Sequence, residues 1–556
     1  MQNTTQRKYI ALSVGIFAAI SFILIRFVGI HYAINDDIAF RGILNGSMNG
    51  ANDAHLVFVK YALGSLFALL YKLSSSVDWY GLVSFTVIIL SIFSVFICFV
   101  EKTSSRKEFL LLTVFFFFFT IITYGEDILF MQWTDTAVIA AATGMFLLYT
   151  GHDKKIWQKV LILFLFLFSY LLRTKCFLMM LPVLCVLLLH KYDFHLFSKA
   201  KRNQINTVFI VIFLGIACMS SAAEKMAYRS ESWQKYNQYN NARSMLWDYY
   251  GVPPYDANKE FYDSLSLDRE DVNMICMYGT NMIDGLDEVK IAKIADLAKE
   301  QYHSSHSMKA RMKDLITGCY SIVTGPDYIF LEIELIVLSL LLLIKENNFK
   351  TNVSVVGIWA VGALMICYLV WTLRYPPRVV RGIMIIQICA VLAMLWKCYP
   401  GLMNRRMAVT LLVLALPFVM LRSGKLMKGV LEFRQNDQDT LALEQYVNAH
   451  PDQIFIEEAR VEPNHQFILS HERKALNVIP TGGWTTLAPF RQQQMKMFGI
   501  ADLDQTAARD DVILIMNEWD DPGYLDQYLK CKGYDVHIHE AADVPVLRGY
   551  KLYQFR

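Results

Sequence analysis

Two adjacent carboxylates, Asp36 and Asp37, stand in the stretch His31-Tyr-Ala-Ile-Asn-Asp-Asp-Ile-Ala-Phe-Arg41, just past the first membrane-length apolar run. Side-by-side acids at a membrane surface repel each other and cost desolvation energy, so they need a compensating use. Proton transfer and cation binding are the uses open to such a pair. Three more polar groups break the apolar pattern. One is the segment Asp53-Ala-His-Leu-Val-Phe-Val-Lys60-Tyr-Ala-Leu-Gly64. Another is Glu126-Asp127, in the turn Tyr124-Gly-Glu-Asp-Ile-Leu-Phe-Met-Gln-Trp-Thr-Asp135. The third is a set of bases at the ends of apolar runs: Arg173, Lys175, Arg374, Arg378 and Arg381.

Acids facing bases across a membrane surface suit transfer of a sugar from a phosphate. One carboxylate takes the proton of an acceptor hydroxyl while the sugar–phosphate bond breaks, and the bases stabilise the phosphate that leaves. Arg grips phosphate as a fork and Lys as a point charge, so Arg173, Lys175, Arg374, Arg378, Arg381 and Lys60 form the candidate donor-binding set, with Glu126 and Asp127 beside them. Asp37 is slightly favoured over Asp36 as the base. Alternatively the acids hold a divalent cation, Mg or Mn, with Asp36 and Asp127 as its ligands. Arg374 and Arg381 also fit a plainer role, in which they snorkel at span ends.

Position is supplied by a chain of 556 residues that is 55% hydrophobic and 19% charged, with 36 Phe. Apolar runs occur near 9–30, 56–73, 80–100, 109–124, 135–150, 158–172, 176–190, 206–223, 327–344, 353–373, 381–399 and 407–422. Most approach the ~20 residues needed to cross a bilayer as a helix. The first is too long for a secretory leader and lacks a small-residue cleavage site, which makes it a retained span. The run 56–73 carries Lys60 near its start and ends in Tyr71-Lys72, so it can lie along the surface instead. Loop charges decide, because cytoplasmic loops are enriched in Lys and Arg. With 56–73 on the surface and the N-terminus inside, the inner loops hold Lys102, Arg106, Lys107, Lys154, Lys155, Lys159, Lys191, Lys199, Lys201, Arg202, Lys345, Lys350, Lys397, Arg405 and Arg406. The short outer loops hold only the five bases at span ends, and letting 56–73 cross reverses the ratio.

The expected architecture is therefore an α-helical multi-span membrane protein of about eleven transmembrane helices. Residues 1–223 form an N-terminal membrane module with a first outer loop at 31–79. Residues 224–326 form an extracytoplasmic helical domain, 327–422 the remaining membrane helices, and 423–556 an extracytoplasmic α/β domain. In 224–326, Trp233-Gln-Lys-Tyr-Asn-Gln-Tyr-Asn-Asn-Ala-Arg243 and Trp247-Asp-Tyr-Tyr-Gly-Val-Pro-Pro-Tyr255 combine rings and amides, which suit either carbohydrate or packing on the membrane core. The spacing of Ile291, Ile294, Leu297 and Ala298 predicts a helix over 286–301. The tail predicts a helix at 439–449, strands at 454–457 and 512–516, a helix from 521 with Pro in its first turn, and an edge hairpin at 535–539 and 550–555. His537 and His539 share a strand face that could bind metal or simply be exposed.

A net charge of +3 gives no support for nucleic-acid binding. Ten cysteines are scattered without CxxC spacing; Cys276, Cys319 and Cys531 fall in aqueous segments, and Cys276–Cys319 could pair. Phosphate loops, nucleophile elbows, dinucleotide fingerprints and internal repeats are absent from the sequence.

The acidic pair after the first span, the long first outer loop, about eleven spans and a soluble C-terminal domain together resemble the GT-C superfamily of integral-membrane glycosyltransferases, which includes protein O-mannosyltransferases and the aminoarabinose transferase of lipid A. Lys60-Tyr-Ala-Leu-Gly, followed by Leu-Tyr-Lys-Leu, is similar to that family's "PPL" surface segment, with the prolines missing. The resemblance covers the first ~150 residues best and implies a base at Asp36 or Asp37. It also implies an assisting or metal-binding acid at Glu126 or Asp127.

The expected function is transfer of a sugar from a polyprenyl-phosphate-linked donor to a cell-surface glycan, lipid or protein on the outer face of the plasma membrane, in contact with membrane lipids. A polymerase or ligase of lipid-linked glycans is the nearest alternative, but it needs neither an acidic pair after its first span nor a soluble α/β tail. A transporter or flippase differs in placing charges and helix breaks at mid-membrane, often in repeated halves.

Overall fold

The computed structural model describes residues 2–151, 156–191, 204–402, 405–461, 466–467, 476–541 and 547–555. Lys154, Lys155, Lys199, Lys201 and Arg202 of the loop-charge count lie outside them. Helix α1 (Gln2–Ile23) passes through a π turn, Leu24–Val28, and stops at Gly29. There φ is 87°, a left-handed value that costs an L side chain and not glycine. The chain then forms strand β1 (Ile30–Tyr32), helix α2 (Asn35–Asn45) and helix α3 (Tyr61–Leu73). At 13 residues α3 spans about 20 Å, too short to cross a bilayer. It buries Leu63, Phe67 and Tyr71 and exposes Leu66, Leu69 and Leu73, the pattern of a helix lying on a membrane surface.

The rest of the first group is α4 (Trp79–Val100), α5 (Arg106–Leu129), strand β2 (Phe130–Met131), α6 (Trp133–Thr150), α7 (Ile156–Leu172), α8 (Thr174–Lys191) and α9 (Gln204–Ala227). Next come α10 (Glu231–Met245), α11 (Lys259–Ser264), α12 (Arg269–Cys276), α13 (Glu288–Ser305) and α14 (Met308–Val323), followed by α15 (Ile329–Lys345), α16 (Phe349–Trp371), α17 (Pro377–Leu402) and α18 (Arg405–Ala449). Eight of the described helices, α1, α4, α5, α8, α9, α16, α17 and α18, are long and apolar enough to cross a membrane, so the protein is multi-pass. Each of the eleven runs expected to cross is helical, and α6, α7 and α15 are the shorter or more polar three. α6 and α17 pack against each other at the centre, where nearly every side chain is buried. α9 and α16 leave Val211, Leu214 and Leu364 exposed, as helices facing lipid do.

α18 runs unbroken for 45 residues with Pro417 inside it, passing straight through residue 423. The predicted helix at 439–449 is its last part, so the soluble tail is built directly onto a membrane helix. The tail itself contains β3 (Ile454–Glu457), β4 (Gln466–Phe467), β5 (Val478–Pro480), α19 (Pro489–Met497), β6 (Val512–Asn517), α20 (Gly523–Cys531), β7 (Ile538–Glu540) and β8 (Tyr550–Phe555). Five strands form one sheet in the order β5-β3-β6-β8-β7, with β5, β3 and β6 parallel and β8 antiparallel to both β6 and β7. β6 is buried along its whole length, which explains its uninterrupted apolar run.

A second small sheet was not legible in the sequence. In it β1 pairs parallel with β2 and antiparallel with β4, joining the first outer loop, the turn after α5 and the tail. Asp78 locks the same region: its carboxylate accepts from the Tyr32 hydroxyl at 2.7 Å, the Tyr71 hydroxyl at 3.0 Å and the Gly81 amide at 3.1 Å. A Cβ on Gly81 would sit 2.2 Å from the Tyr32 oxygen, so only glycine admits this approach.

Residues 224–326 are helical, and α13 buries Ile291, Ile294, Ala295 and Ala298. Their aromatic residues act as core. Trp233 stacks on His55 at 4.6 Å, and Tyr236 donates to the Trp484 carbonyl at 2.9 Å. The first loop, this domain and the tail therefore meet on one face of the bundle. Cys276 and Cys319 do not pair: Cys276 is exposed, and the Cys319 sulfur instead lies 3.8 Å from that of Cys367 on α16.

Candidate active site

Asp36 and Asp37 occupy the first turn of α2, where unpaired amides and the helix dipole partly offset their charge. Consecutive helical positions send the two side chains different ways. Asp37 is 1% exposed. Its Oδ1 accepts from the Tyr80 hydroxyl at 2.5 Å and from the Trp133 amide at 3.0 Å, while Oδ2 is buried without a hydrogen-bond partner. Burial lifts its pKa well above the ordinary carboxylate range, the Tyr80 hydrogen bond pulls it back and the Asp36 charge adds to the lift. Asp36 is only half-buried. Burial raises its pKa as well, against the opposing pull of Arg378, Arg173 and Arg243.

Those three arginines come from three distant parts of the chain. Arg173, in the short break between α7 and α8, donates to the Thr134 hydroxyl at 2.9 Å and lies 3.9 Å over the Trp133 ring. Its plane and position are thereby fixed. Arg378 begins α17, and its Nε is buried without a hydrogen-bond partner. Arg243 comes from α10 of the outer domain, where Asn240 accepts from its Nε at 2.8 Å. Sequence reading found Arg173 and Arg378 by their place against the usual loop-charge preference. It missed Arg243, which no spacing distinguishes from any other surface arginine.

Three buried polar atoms here lack a hydrogen-bond partner: Asp37 Oδ2, Arg378 Nε and Asp135 Oδ1. Buried polar groups are rarely left so, and several together indicate a site built for a polar ligand rather than for stability.

The other expected residues are placed differently. Glu126 and Asp127, at the end of α5, are ion-paired. Arg381 bridges them, bonding Glu126 closely and Asp127 Oδ1 at 2.9 Å, and Arg422 of α18 reaches Glu126 at 2.7 Å. This network clamps α5, α17 and α18 together, and Arg422 was another residue the sequence did not single out. Arg374 is held by the outer domain, 2.9 Å from Asp248 and 3.3 Å from the Ser244 hydroxyl. Lys175 is exposed at the start of α8. Lys60 precedes α3, and its amide donates to the Leu171 carbonyl at 2.9 Å, which sets α3 beside the Arg173 turn.

Among the described residues no three His, Cys, Asp or Glu side chains gather into a group able to hold a metal ion. Asp36 and Asp127 belong to separate clusters, and His537 lies 3.9 Å from Asp526 at the far edge of the tail.

No family model and no curated protein matches the chain. Among the solved structures that match are ArnT from Cupriavidus metallidurans in the apo state and the same protein bound to undecaprenyl phosphate. The first has a TM-score of 0.41 and 11% identity over 97% of each chain, the second a TM-score of 0.40 and 11% identity over 98% of each.

Proposed function

We propose that the protein is a membrane glycosyltransferase that moves a sugar from a polyprenyl-phosphate donor to a hydroxyl-bearing acceptor at the outer membrane surface. The observation that carries the reading is the half-buried Asp36 carboxylate facing Arg173, Arg378 and Arg243 at the end of the helix bundle. Arg173 and Arg378 stand where apolar helices end, a place suited to a lipid phosphate.

In the reaction the acceptor oxygen bonds to the anomeric carbon as that carbon's bond to the phosphate oxygen breaks. Asp36 takes the acceptor's proton, and Arg173 and Arg378 receive the charge that develops on the leaving phosphate. Accessibility supports Asp36 as the group that meets the acceptor, the reverse of the order favoured from sequence. Asp37 is 1% exposed and closed off from an incoming acceptor, so it acts through its neighbours as a positioning residue. The fixed Arg173–Trp133 stack supports the donor end, because a guanidinium already held in plane loses little entropy on binding phosphate.

The test is to incubate purified protein with a panel of polyprenyl-phosphate sugars and assay release of the lipid phosphate together with gain of sugar by a mixed acceptor extract. Release and transfer that both vanish in Asp36→Asn support the reading. Release that is unchanged in that variant, or no turnover of any donor, overturns it.

A further inference from the structure

α2 has a second working face. Asn35, Ile38, Arg41, Gly42 and Asn45 recur at helical spacing and line a cavity of about 220 Å³ on the side turned toward the tail. The opposite wall is formed by the carboxyl ends of the parallel strands β3 and β5, with Glu457 and the Gly482-Gly483-Trp484 loop, and by Glu444 of α18 and Arg491 of α19. Small molecules settle at the carboxyl ends of parallel strands because the loops there are free to carry side chains.

The lining is specific in three ways. First, it is preorganised. Arg491 is 2% exposed, donates to Gln494 and to the Thr485 hydroxyl, and has an unpartnered buried Nε. Gln494 is itself fixed by the Leu476 and Val478 carbonyls at 2.6 and 2.8 Å. The loop is fixed as well, since a Cβ on Gly482 would lie 1.7 Å from the Tyr278 carbonyl oxygen. Second, its charges balance. Glu457 stands against Arg491, Arg41 is shared between Glu444 and the buried Asp78 3.6 Å away, and Glu458 is taken up by Arg460 and the Tyr524 hydroxyl. Burial, with Glu444 and Glu458 nearby, pushes the Glu457 carboxyl up to about 7 against the pull of Arg491. Third, it is small. Pockets for drug-sized ligands run ~300–1,000 Å³, so this one takes roughly a single ring.

A balanced lining favours an uncharged guest. Carboxylates that accept from hydroxyls, guanidinia that donate to them and an indole at the rim are the groups that hold a sugar. Asn35 belongs to this wall and immediately precedes Asp36 in the first turn of α2, so the cavity and the proposed base share one helix end. Resting on the proposed function, we infer that this cavity is the acceptor subsite and holds one neutral sugar ring of the acceptor between Glu457 and Arg491.

The full chain in lipid nanodiscs is titrated with methyl glycosides of glucose, galactose, mannose and N-acetylglucosamine, read by tryptophan fluorescence and thermal shift. At least one should bind saturably and more tightly than glucuronate or glucosamine. Glu457→Gln keeps the shape and should weaken binding at least tenfold. Ala459→Leu, which fills the cavity, should abolish it. In transfer assays the Glu457→Gln variant should raise the acceptor KM and leave the donor KM unchanged. If no neutral sugar binds, or if binding survives both substitutions, the subsite is overturned. A rise in donor KM alone also overturns it, since the cavity would then hold the donor's sugar. Sugar binding without turnover of any polyprenyl-phosphate donor keeps the cavity as a sugar site but overturns the proposed function. Transfer with an unchanged acceptor KM in Glu457→Gln does the reverse.

Discussion

The Tyr80 hydroxyl donates a 2.5 Å hydrogen bond to Asp37, the buried member of the acidic pair, and makes none to Asp36. The bond favours the ionised form of Asp37, so its removal raises that residue's pKa further. A base must be unprotonated, and burial raises the Asp36 pKa, so kcat/KM should fall with decreasing pH through a value above the ordinary aspartate range. Tyr80→Phe should leave that acid limb in place, because it acts on the neighbour that already holds its proton more tightly. A limb that moved up by about one pH unit, the worth of a hydrogen bond to a charged group, would make Asp37 the base.

Asn substitution separates the two acids by a different readout. Asp36→Asn should lower kcat by about 10²-fold or more, as the loss of a general base does, with unchanged melting. Asp37→Asn replaces a buried carboxyl by an amide whose NH₂ faces the Oδ2 position or opposes the two donors at Oδ1. It should alter stability as well as rate. Full activity in both variants, measured as sugar transfer, would remove the pair from the chemistry.

Arg374 and Arg378 look equivalent in the sequence and are not equivalent in the fold. Arg378 has an unpartnered Nε beside the acids, whereas Arg374 is paired with Asp248. Arg378→Ala should weaken donor use by about ten- to a hundredfold, the loss of one charged hydrogen bond to phosphate. Arg374→Ala should change donor KM little and loosen the outer domain, seen as faster proteolysis of residues 224–326. Equal donor defects in the two variants would return Arg374 to the phosphate site.

How much of this was legible follows from the range of each interaction. Helices whose apolar residues cluster within a few turns, and β6 with its unbroken Val512–Asn517 run, declare themselves locally. Asp36 and Asp37 stood out because charge next to a span is costly. β1, β2 and β4 are only two or three residues long and owe their existence to the pairing of His31 with the distant Phe130 and the still more distant Gln466, so no local pattern marks them. Arg243 and Arg422 are ordinary arginines until folding brings them to Asp36 and Glu126. Glu126 and Asp127 show the same limit, since acids near bases signal a pairing without saying whether a substrate or another helix completes it.

The meeting of the first loop, the outer domain and the tail on one face of the bundle can be checked with native cysteines. Cys276 and Cys531 are exposed in the two large domains. A membrane-impermeant maleimide should label both in intact cells, while a cysteine placed at the exposed Ser104 should react only after lysis. Position 194, a natural control in another inner loop, lies outside the described residues. Labelling at 104 alone would put the large domains inside and require residues 56–73 to cross.

Arg422 gives the sharpest contrast between holding the fold and binding substrate. It is 2% exposed, 2.7 Å from Glu126 and stacked 5.4 Å over the Phe330 ring, and it ties α18 to α5. Removing one member of a buried ion pair usually costs ~3–5 kcal/mol because the other is left uncompensated. Here Glu126 keeps Arg381 and is about a third exposed, so the lower end, about 3 kcal/mol, is expected for Arg422→Met. Glu126→Gln should also lower the melting temperature of ligand-free protein in detergent, and the double variant should lose less than the sum of the two, as residues in one network do. A Glu126 that served only the substrate would show the opposite pattern: a loss of kcat/KM, unchanged melting and no coupling to Arg422.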